Sequence, residues 1–207
     1  MVARRRLLQA GSLLPLAGWG AAAQAGRQLE EPLGDAVRSA LSAAVAWAAP
    51  PEPPLATAQQ RQDYGRWLEH TARRLARYQA HPTERQEFLQ TLWYEARRAG
   101  LSLSLVLGLV QVESAFRKFA VSSSGARGYM QVMPFWCRLI GDGDGDEGRL
   151  FQLQANLRFG CVILRHYLDT ERGDLFMALG RYNGSRGQRA YPDAVLAAQR
   201  HWQHEVD

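Results

Sequence analysis

The spacing of side chains after about residue 58 limits the fold of this chain more than any other feature of the sequence. Side chains suited to one helix face recur there at intervals of three and four, as at Trp67, Leu68, Thr71, Leu75 and Tyr78. The strict alternation typical of β-strands is almost absent. Since such a repeat buries one face of an α-helix, the predicted fold class is mainly α.

Helix boundaries are indicated by residues that start and stop helices. Pro82 and Thr83 predict a start, and Gln86, three residues after Thr83, would complete a capping box. Gly100 predicts the end of that helix. Further helices are expected over residues 102–113, 151–168, 174–182 and 191–204, with a short one beginning at Pro134.

The first 25 residues have the order of a targeting signal. Arg4, Arg5 and Arg6 precede an uncharged stretch rich in Leu, Ala and Gly, which ends in small residues at Ala25. The stretch is too interrupted by Gly, Ser and Pro to span a membrane. We expect cleavage after Ala25, by the general secretory route or by the twin-arginine route that the three arginines resemble. The mature protein would then be periplasmic, without a membrane span.

Residues 26–58 are rich in Ala and Pro and end in a run of four prolines around Glu52. This composition favours a semi-rigid spacer. A helix from Asp35 to Trp47 fits the segment, but its Ala-rich faces offer little to bury. The predicted organisation is therefore a signal peptide (1–25), a linker (26–58) and a helical catalytic domain (59–207).

The charge distribution argues against a nucleic-acid-binding protein. The 207 residues include 25 Lys and Arg against 20 Asp and Glu. Without residues 1–25, which hold three Arg and no acidic residue, 22 basic and 20 acidic residues remain, a net charge of +2. These charges are interleaved along the chain, whereas nucleic-acid binding requires a basic face or stripe.

No cofactor or metal ion is predicted. The acidic segment that begins at Asp142 resembles the start of a calcium loop, but Glu147 occupies the sixth position, where Gly is required, and Leu153 the twelfth. The segment is therefore interpreted as a solvated acidic loop. His201 and His204 lie three apart but lack a third ligand nearby.

Glu113 is the first candidate for catalysis. It follows Leu109 by four residues and Val110 by three, so it lies on the helix face that those residues would bury. Burial raises the pKa of a carboxyl group, and a general acid at neutral pH needs such a raised pKa. The alternative is a carboxylate at the helix end that pairs with Arg117.

Three ordered blocks carry a resemblance. They read ESAF at 113–116, SSSGARGYMQVMP at 122–134 and GRYNG at 180–184. In type and spacing they resemble the soluble, goose-lysozyme-like family of lytic transglycosylases (SLT domain), over about residues 101–196. The resemblance implies a lysozyme-like helical domain with a substrate groove. Tyr129 is a departure, because Leu is usual at that position.

The resemblance also implies a reaction. Such enzymes cleave the β-1,4 bond between N-acetylmuramic acid (MurNAc) and N-acetylglucosamine (GlcNAc) in the glycan strands of peptidoglycan. Glu113 would protonate the glycosidic oxygen and then act as base on the C6 hydroxyl, which closes a 1,6-anhydro ring without water. One carboxylate can then suffice where ordinary glycosidases use two.

The family pattern implies a set of substrate-binding residues around that acid. Tyr182 is expected within hydrogen-bonding reach of Glu113 or the sugar. The expected groove residues are Ser122, Gln131 and Met133, with Tyr129, Phe135, Asn183 and Tyr191 supplying suitable aromatic and amide groups.

Two other functions stay open. A hydrolytic muramidase on the same fold needs a second carboxylate, and only the acidic loop 142–147 supplies carboxylates densely. A non-catalytic wall-binding module would keep the groove without turnover. Secretion or envelope-assembly partners are not specified by the chain.

Cys137 and Cys161 are the only cysteines. An exported protein with two cysteines permits one disulfide, so the pair is a candidate bridge. The alternative is two buried apolar side chains.

Overall fold

The repeat of three and four produces eight α-helices in the residues that the computed structural model describes, which are 28–46, 55–141 and 145–203. The helices are α1 (Asp35–Ala46), α2 (Ala58–Leu75), α3 (Pro82–Arg98), α4 (Leu103–Ser114), α5 (Phe135–Ile140), α6 (Leu153–Thr170), α7 (Leu175–Asn183) and α8 (Ala190–Trp202), with a 3-10 segment at Glu147–Phe151. The mainly α prediction is confirmed. The targeting signal, Asp142, Asp144 and His204 lie outside the described residues.

The described helices are all too short or too polar to cross a membrane.

Helix α4 is the centre of the fold and is apolar on nearly all sides. Leu103, Leu107 and Val110 are fully buried. Gly108 lets α8 approach closely, because a Cβ atom at this position would lie 2.6 Å from the backbone nitrogen of Gln199. The two helices therefore pack backbone against backbone near the middle of α4.

The start signals of the helices are partly as predicted. Ser102 caps α4, since its Oγ accepts a hydrogen bond from the Leu105 amide, and Asp174 caps α7. The capping box predicted at Thr83 is wrong. Helix α3 already begins at Pro82, so Thr83 lies inside the first turn. The capping box occurs instead at the start of α2, between Thr57 and Gln60.

The long loop between α4 and α5 is held by one buried amide. Asn156 of α6 accepts a hydrogen bond from the Met130 amide (2.8 Å) and donates to the carbonyl oxygens of Arg127 (2.9 Å) and Leu150 (2.8 Å). Gly128 packs against this side chain with φ +77°, and a Cβ atom there would overlap Asn156. Both residues are therefore required by the loop conformation.

The linker interpretation is wrong for residues 28–46. Leu41 and Val45, four residues apart, place one face of α1 in the core, and α1 packs against α5 and α6. Gln28 is also buried, and its Oε1 accepts a hydrogen bond from Trp136 Nε1 (2.7 Å). Leu41 and Val45 thus provide the apolar contacts of this Ala-rich helix. The proline run lies outside the described residues.

A buried ion cluster joins α1, α3 and α6. The Glu95 carboxylate accepts hydrogen bonds from Arg158 (2.9 and 3.1 Å) and from Arg98 (3.1 Å). Arg98 also donates to the Ala44 carbonyl oxygen (2.6 Å), and Arg158 to that of Val45 (3.4 Å). The cluster therefore ties the end of α1 to the helical body.

The candidate disulfide is absent from the structure. Cys137 and Cys161 are both free and buried. Burial raises the pKa of the Cys137 thiol to about 11, and it also raises the pKa of Cys161. The thiols have different charged neighbours, Arg149 and Glu147 for Cys137 but Glu95 and Arg98 for Cys161. They are thus buried apolar side chains in separate surroundings.

We expect Glu95→Ala to lower the free energy of unfolding by about 3 to 5 kcal/mol, because it leaves two buried guanidinium groups without their carboxylate. Glu69→Ala is the matched control, since Glu69 pairs with Arg73 at the surface. Its loss should stay below about 1 kcal/mol. Urea unfolding of both variants tests this, and equal losses would contradict the structural role of the cluster.

Candidate active site

Glu113 lies in the last turn of α4 and is only 5% exposed. Its Oε1 accepts a short hydrogen bond from the Tyr191 hydroxyl. Its Oε2 is buried and has no hydrogen-bond partner among the described residues. Burial raises the pKa of this carboxyl to about 8, although the Tyr191 hydrogen bond opposes the change. The group is therefore mostly protonated at neutral pH.

The predicted alternative, an ion pair between Glu113 and Arg117, does not occur. Arg117 is exposed, and its Nε donates to the Ser114 carbonyl oxygen (3.0 Å) instead. The causes of the Glu113 shift include no nearby cation. Without a compensating positive charge, the buried carboxyl favours its neutral form.

The chain reverses direction directly after Glu113. Ala115 and Phe116 both adopt left-handed backbone conformations, with φ of 49° and 61°, which non-glycine residues rarely adopt. The Phe116 ring is buried and packs edge-on against Phe88 and Trp202. This aromatic packing holds the strained turn that leaves Glu113 at the end of its helix.

Tyr191, not Tyr182, provides the hydroxyl that bonds to Glu113. The Tyr182 hydroxyl donates instead to the Met130 carbonyl oxygen (2.8 Å), and its contact with a sugar stays a prediction. Tyr182 still lies near the acid, since the charge of Glu113 contributes to raising the pKa of this tyrosine. The sequence predicted Tyr191 only as a groove aromatic. Its role depends on the close approach of α8 to α4 at Gly108, which no sequence pattern indicates.

Gln131 and Ser122 shape the loop beside the acid. The Gln131 side chain is buried, and its Nε2 donates to the carbonyl oxygens of Gly128 (2.9 Å) and Ala120 (3.1 Å). Ser122 Oγ accepts a hydrogen bond from the Ala126 amide (3.0 Å). Their observed hydrogen bonds are thus with the loop backbone, and contact with a substrate stays a prediction.

The other predicted groove residues differ in their accessibility. Met133 is half-buried against the core. Tyr129 is buried beside Phe88, with ring centroids 4.9 Å apart. Asn183 is buried and donates to Ser185 Oγ (3.0 Å), but its Oδ1 has no hydrogen-bond partner among the described residues. Asn183 therefore offers an unused acceptor.

The described part of the acidic loop supplies no free carboxylate. Glu147 pairs with Arg127 (2.9 Å) and Arg138 (3.3 Å), and Asp146 caps the Gly148 amide (2.8 Å). No carboxylate contributes to the pKa shift of Glu113. Among the described residues, the Tyr191 hydroxyl is the side-chain group that bonds to the Glu113 carboxyl group. These residues contain no cluster of three or more metal-ligating side chains.

A comparison with models of known protein families finds a match to one family. Residues 91–195 match the family described as the transglycosylase SLT domain. This range begins within α3, contains Glu113 and Tyr191, and ends within α8.

Curated relatives carry the name membrane-bound lytic murein transglycosylase C. The protein of Actinobacillus pleuropneumoniae serotype 5b is 35% identical over 85 residues, which are 38% of this chain and 23% of the relative. That of Glaesserella parasuis serovar 5 is 43% identical, with the same coverage. That of Histophilus somni is 32% identical over 115 residues, 49% of this chain and 32% of the relative. The chain thus spans less than a third of the length of these relatives.

One solved structure is similar in part. It is the X-ray structure of an inactive mutant of the lytic transglycosylase Slt from Pseudomonas aeruginosa, with 24% identity and a TM-score of 0.43. The similarity covers 70% of this chain and 26% of that chain.

We expect Glu113→Gln to become more stable relative to the wild type as the pH rises from 4.5 to 8. The unfolded carboxyl ionises near its ordinary pKa of 4.5, whereas the folded one keeps its proton to about 8. Between these values the folded state binds the extra proton, so wild-type stability falls with pH, by up to about 1.4 kcal/mol per unit. Because the amide group of the variant does not titrate, the variant lacks this fall of stability with pH.

Urea unfolding of both proteins across this pH range measures the effect. Parallel stability curves would mean that Glu113 is ionised in the folded protein.

Proposed function

Because the chain belongs to the transglycosylase SLT domain family, we propose that it is a lytic transglycosylase that cleaves the MurNAc-β-1,4-GlcNAc bond of peptidoglycan. The observation that carries this proposal is the state of Glu113. Its carboxyl group is buried and protonated at neutral pH, and one of its oxygens is unpaired. A general acid requires a retained proton, and an oxygen without a partner in the protein has no competing hydrogen bond to break before it donates.

In the first step, Glu113 donates its proton to the glycosidic oxygen. The bond from this oxygen to C1 of MurNAc breaks, and positive charge develops on the sugar ring. Proton transfer lowers the barrier because the leaving group departs as a neutral hydroxyl. The buried environment keeps Glu113 protonated until the substrate binds, and it makes the carboxylate that remains a stronger base for the second step.

In the second step, the Glu113 carboxylate accepts the proton of the MurNAc C6 hydroxyl. The C6 oxygen bonds to C1 and closes the 1,6-anhydro ring, and Glu113 recovers the proton that it donated. The substrate therefore supplies its own nucleophile, and no water is consumed. One carboxyl group is sufficient for both steps, so this route requires no second carboxylate beside Glu113.

Tyr191 acts as a positioning residue in this mechanism. Its hydroxyl donates to Glu113 Oε1, which stabilises the carboxylate formed in the first step and leaves Oε2 as the oxygen without a partner in the protein. Asn183 Oδ1 is an acceptor suited to an N-acetyl amide or a sugar hydroxyl. Met133 is a flat apolar surface for a sugar ring. Ser122, Gln131, Tyr129 and Tyr182 contribute by holding the wall of the groove.

The proposed location follows the proposed substrate. Peptidoglycan lies in the cell envelope, and residues 1–25 have the composition of an export signal. We therefore place the mature protein in the periplasm.

Glu113→Gln is expected to lower cleavage of purified peptidoglycan by roughly 10²- to 10⁴-fold, because glutamine cannot donate the proton. Glu69→Gln, a surface carboxyl change, should leave activity unchanged. Mass spectrometry of the wild-type products should find 1,6-anhydro-muropeptides. Products heavier by one water would assign the protein to the hydrolytic muramidases. Undiminished cleavage by Glu113→Gln would remove Glu113 from the mechanism.

Tyr191→Phe is expected to reduce kcat by about ten- to a hundredfold and to move the alkaline limb of the pH profile upward. The hydrogen bond from Tyr191 lowers the pKa of Glu113, so its loss lets the acid keep its proton to higher pH. Tyr182→Phe is the matched control, because its hydroxyl bonds to Met130. That variant should lose stability but keep the wild-type alkaline limb. An unmoved limb in Tyr191→Phe would contradict the positioning role.

A further inference from the structure

A cavity of about 540 Å³ lies between the α2–α3 turn and the loop that follows α4. Its lining residues are Tyr78–His81 and Glu84 on one side, and Phe116–Val121 and Tyr129 on the other. Glu113 does not line it. Val121 directly precedes Ser122, so the cavity adjoins the loop that we place beside the glycan.

Gln79 lines the cavity with an unsatisfied amide oxygen. The side chain is only 9% exposed, and its Nε2 donates to Tyr129 Oη (3.3 Å) and to the Phe116 carbonyl oxygen (3.4 Å). Its Oε1 is buried and has no hydrogen-bond partner among the described residues. Buried polar atoms without partners are rare in folded proteins. A ligand with an N–H group would supply the missing donor.

Tyr129 provides the complementary group. Its hydroxyl accepts the Gln79 hydrogen bond, so its own proton remains to be donated to a ligand. Burial, with a smaller contribution from the charge of Glu84, raises the pKa of Tyr129 to about 12. The hydroxyl therefore stays a donor throughout the physiological range. An adjacent acceptor and donor match the N–H and C=O groups of a peptide backbone.

The rim of the cavity is basic and apolar. Arg117 and Lys118 are both exposed there, with the Glu84 carboxylate on the opposite side and Glu87 close enough for its charge to act on Tyr129. Phe119 is 71% exposed, and the Lys118 ammonium lies 5.4 Å from its ring centroid. Val121 is also exposed. Only four large apolar side chains are exposed among the residues that the structure describes, and Phe119 and Val121 are two of them. They form an apolar surface beside the two cations.

We propose that this cavity binds the carboxylate-bearing peptide that branches from the glycan strand. The peptide backbone would pair with Gln79 Oε1 and the Tyr129 hydroxyl, and a carboxylate would bind Arg117 and Lys118. Small apolar side chains would pack on Phe119. An uncharged N-acetyl glycan lacks the carboxylate that this rim is suited to bind. The inference rests on the proposed function, because it takes peptidoglycan as the substrate.

Titration of the full chain with a synthetic stem pentapeptide ending in D-alanyl-D-alanine tests the proposal. In NMR spectra of ¹⁵N-labelled protein, the amides of residues 117–121 should shift. Lys118→Glu and Phe119→Ala should each raise the Kd by about tenfold or more. The matched controls are Arg73→Glu, which also alters an exposed cation, and Leu29→Ala, whose side chain is 71% exposed like that of Phe119. Both controls should bind like the wild type.

Chitotetraose, an uncharged glycan without peptide, is the second probe. Its affinity should be the same for the wild type and both cavity variants. Absence of peptide binding, shifts confined to other residues, or equal effects of variants and controls would each overturn the proposal. A parallel loss of chitotetraose binding would assign the cavity to the glycan instead.

The isolated peptide contains no glycosidic bond, so its binding does not depend on Glu113. Pocket-dependent peptide binding without peptidoglycan cleavage would refute the proposed function and leave the peptide site standing. Cleavage that requires Glu113, without peptide binding, would support the proposed function and refute the peptide site.

Discussion

The contact between α4 and α8 depends on the absence of a side chain at Gly108. With any larger residue there, α8 would have to move away from α4, since a Cβ atom would lie 2.6 Å from the Gln199 nitrogen. The separation of these helices sets how far the Tyr191 hydroxyl lies from Glu113. It also determines the hydrogen bond from Trp202 Nε1 to Gln111 Oε1 (2.7 Å), two residues before the acid. A packing constraint in mid-helix thus determines the hydrogen bonding of the candidate acid.

The wall beside the acid is fixed mainly through backbone atoms. Asn156 joins three points of the chain, and Tyr182 and Ser114 add hydrogen bonds to the carbonyl oxygens of Met130 (2.8 Å) and Tyr129 (2.7 Å). All three side chains are buried. Since these bonds use main-chain groups, the path of the loop is set independently of its exposed side chains. Residues at the rim, such as Phe119, are therefore free to differ without altering the position of Glu113.

Local patterns in the sequence predicted the helices and the acid, whereas contacts between distant segments escaped prediction. The burial of Glu113 could be predicted because it follows from the spacing of Glu113 to Leu109 and Val110 within one helix. The hydrogen bond from Tyr191 to Glu113 depends on the packing of α8 against α4. The different surroundings of Cys137 and Cys161 likewise arise from contacts between segments that are distant in the sequence. The sequence analysis underestimated the packing of α1 against the core, because composition measures only the average apolarity of a segment. The helix is held by the buried side chains of Leu41 and Val45 and by hydrogen bonds to main-chain carbonyl oxygens, which any residue type could provide.

The cluster around Glu95 has a consequence for the smallest part of the chain that folds as one unit. Arg98 and Arg158 donate to the Ala44 and Val45 carbonyl oxygens, at the helix end where the dipole of α1 is negative. A shortened chain beginning at residue 58 would deprive both guanidinium groups of these acceptors and would uncover the Trp136 indole bonded to Gln28. Residues 28–46 therefore belong to the same folded unit as the helices that follow, although their composition is that of a spacer.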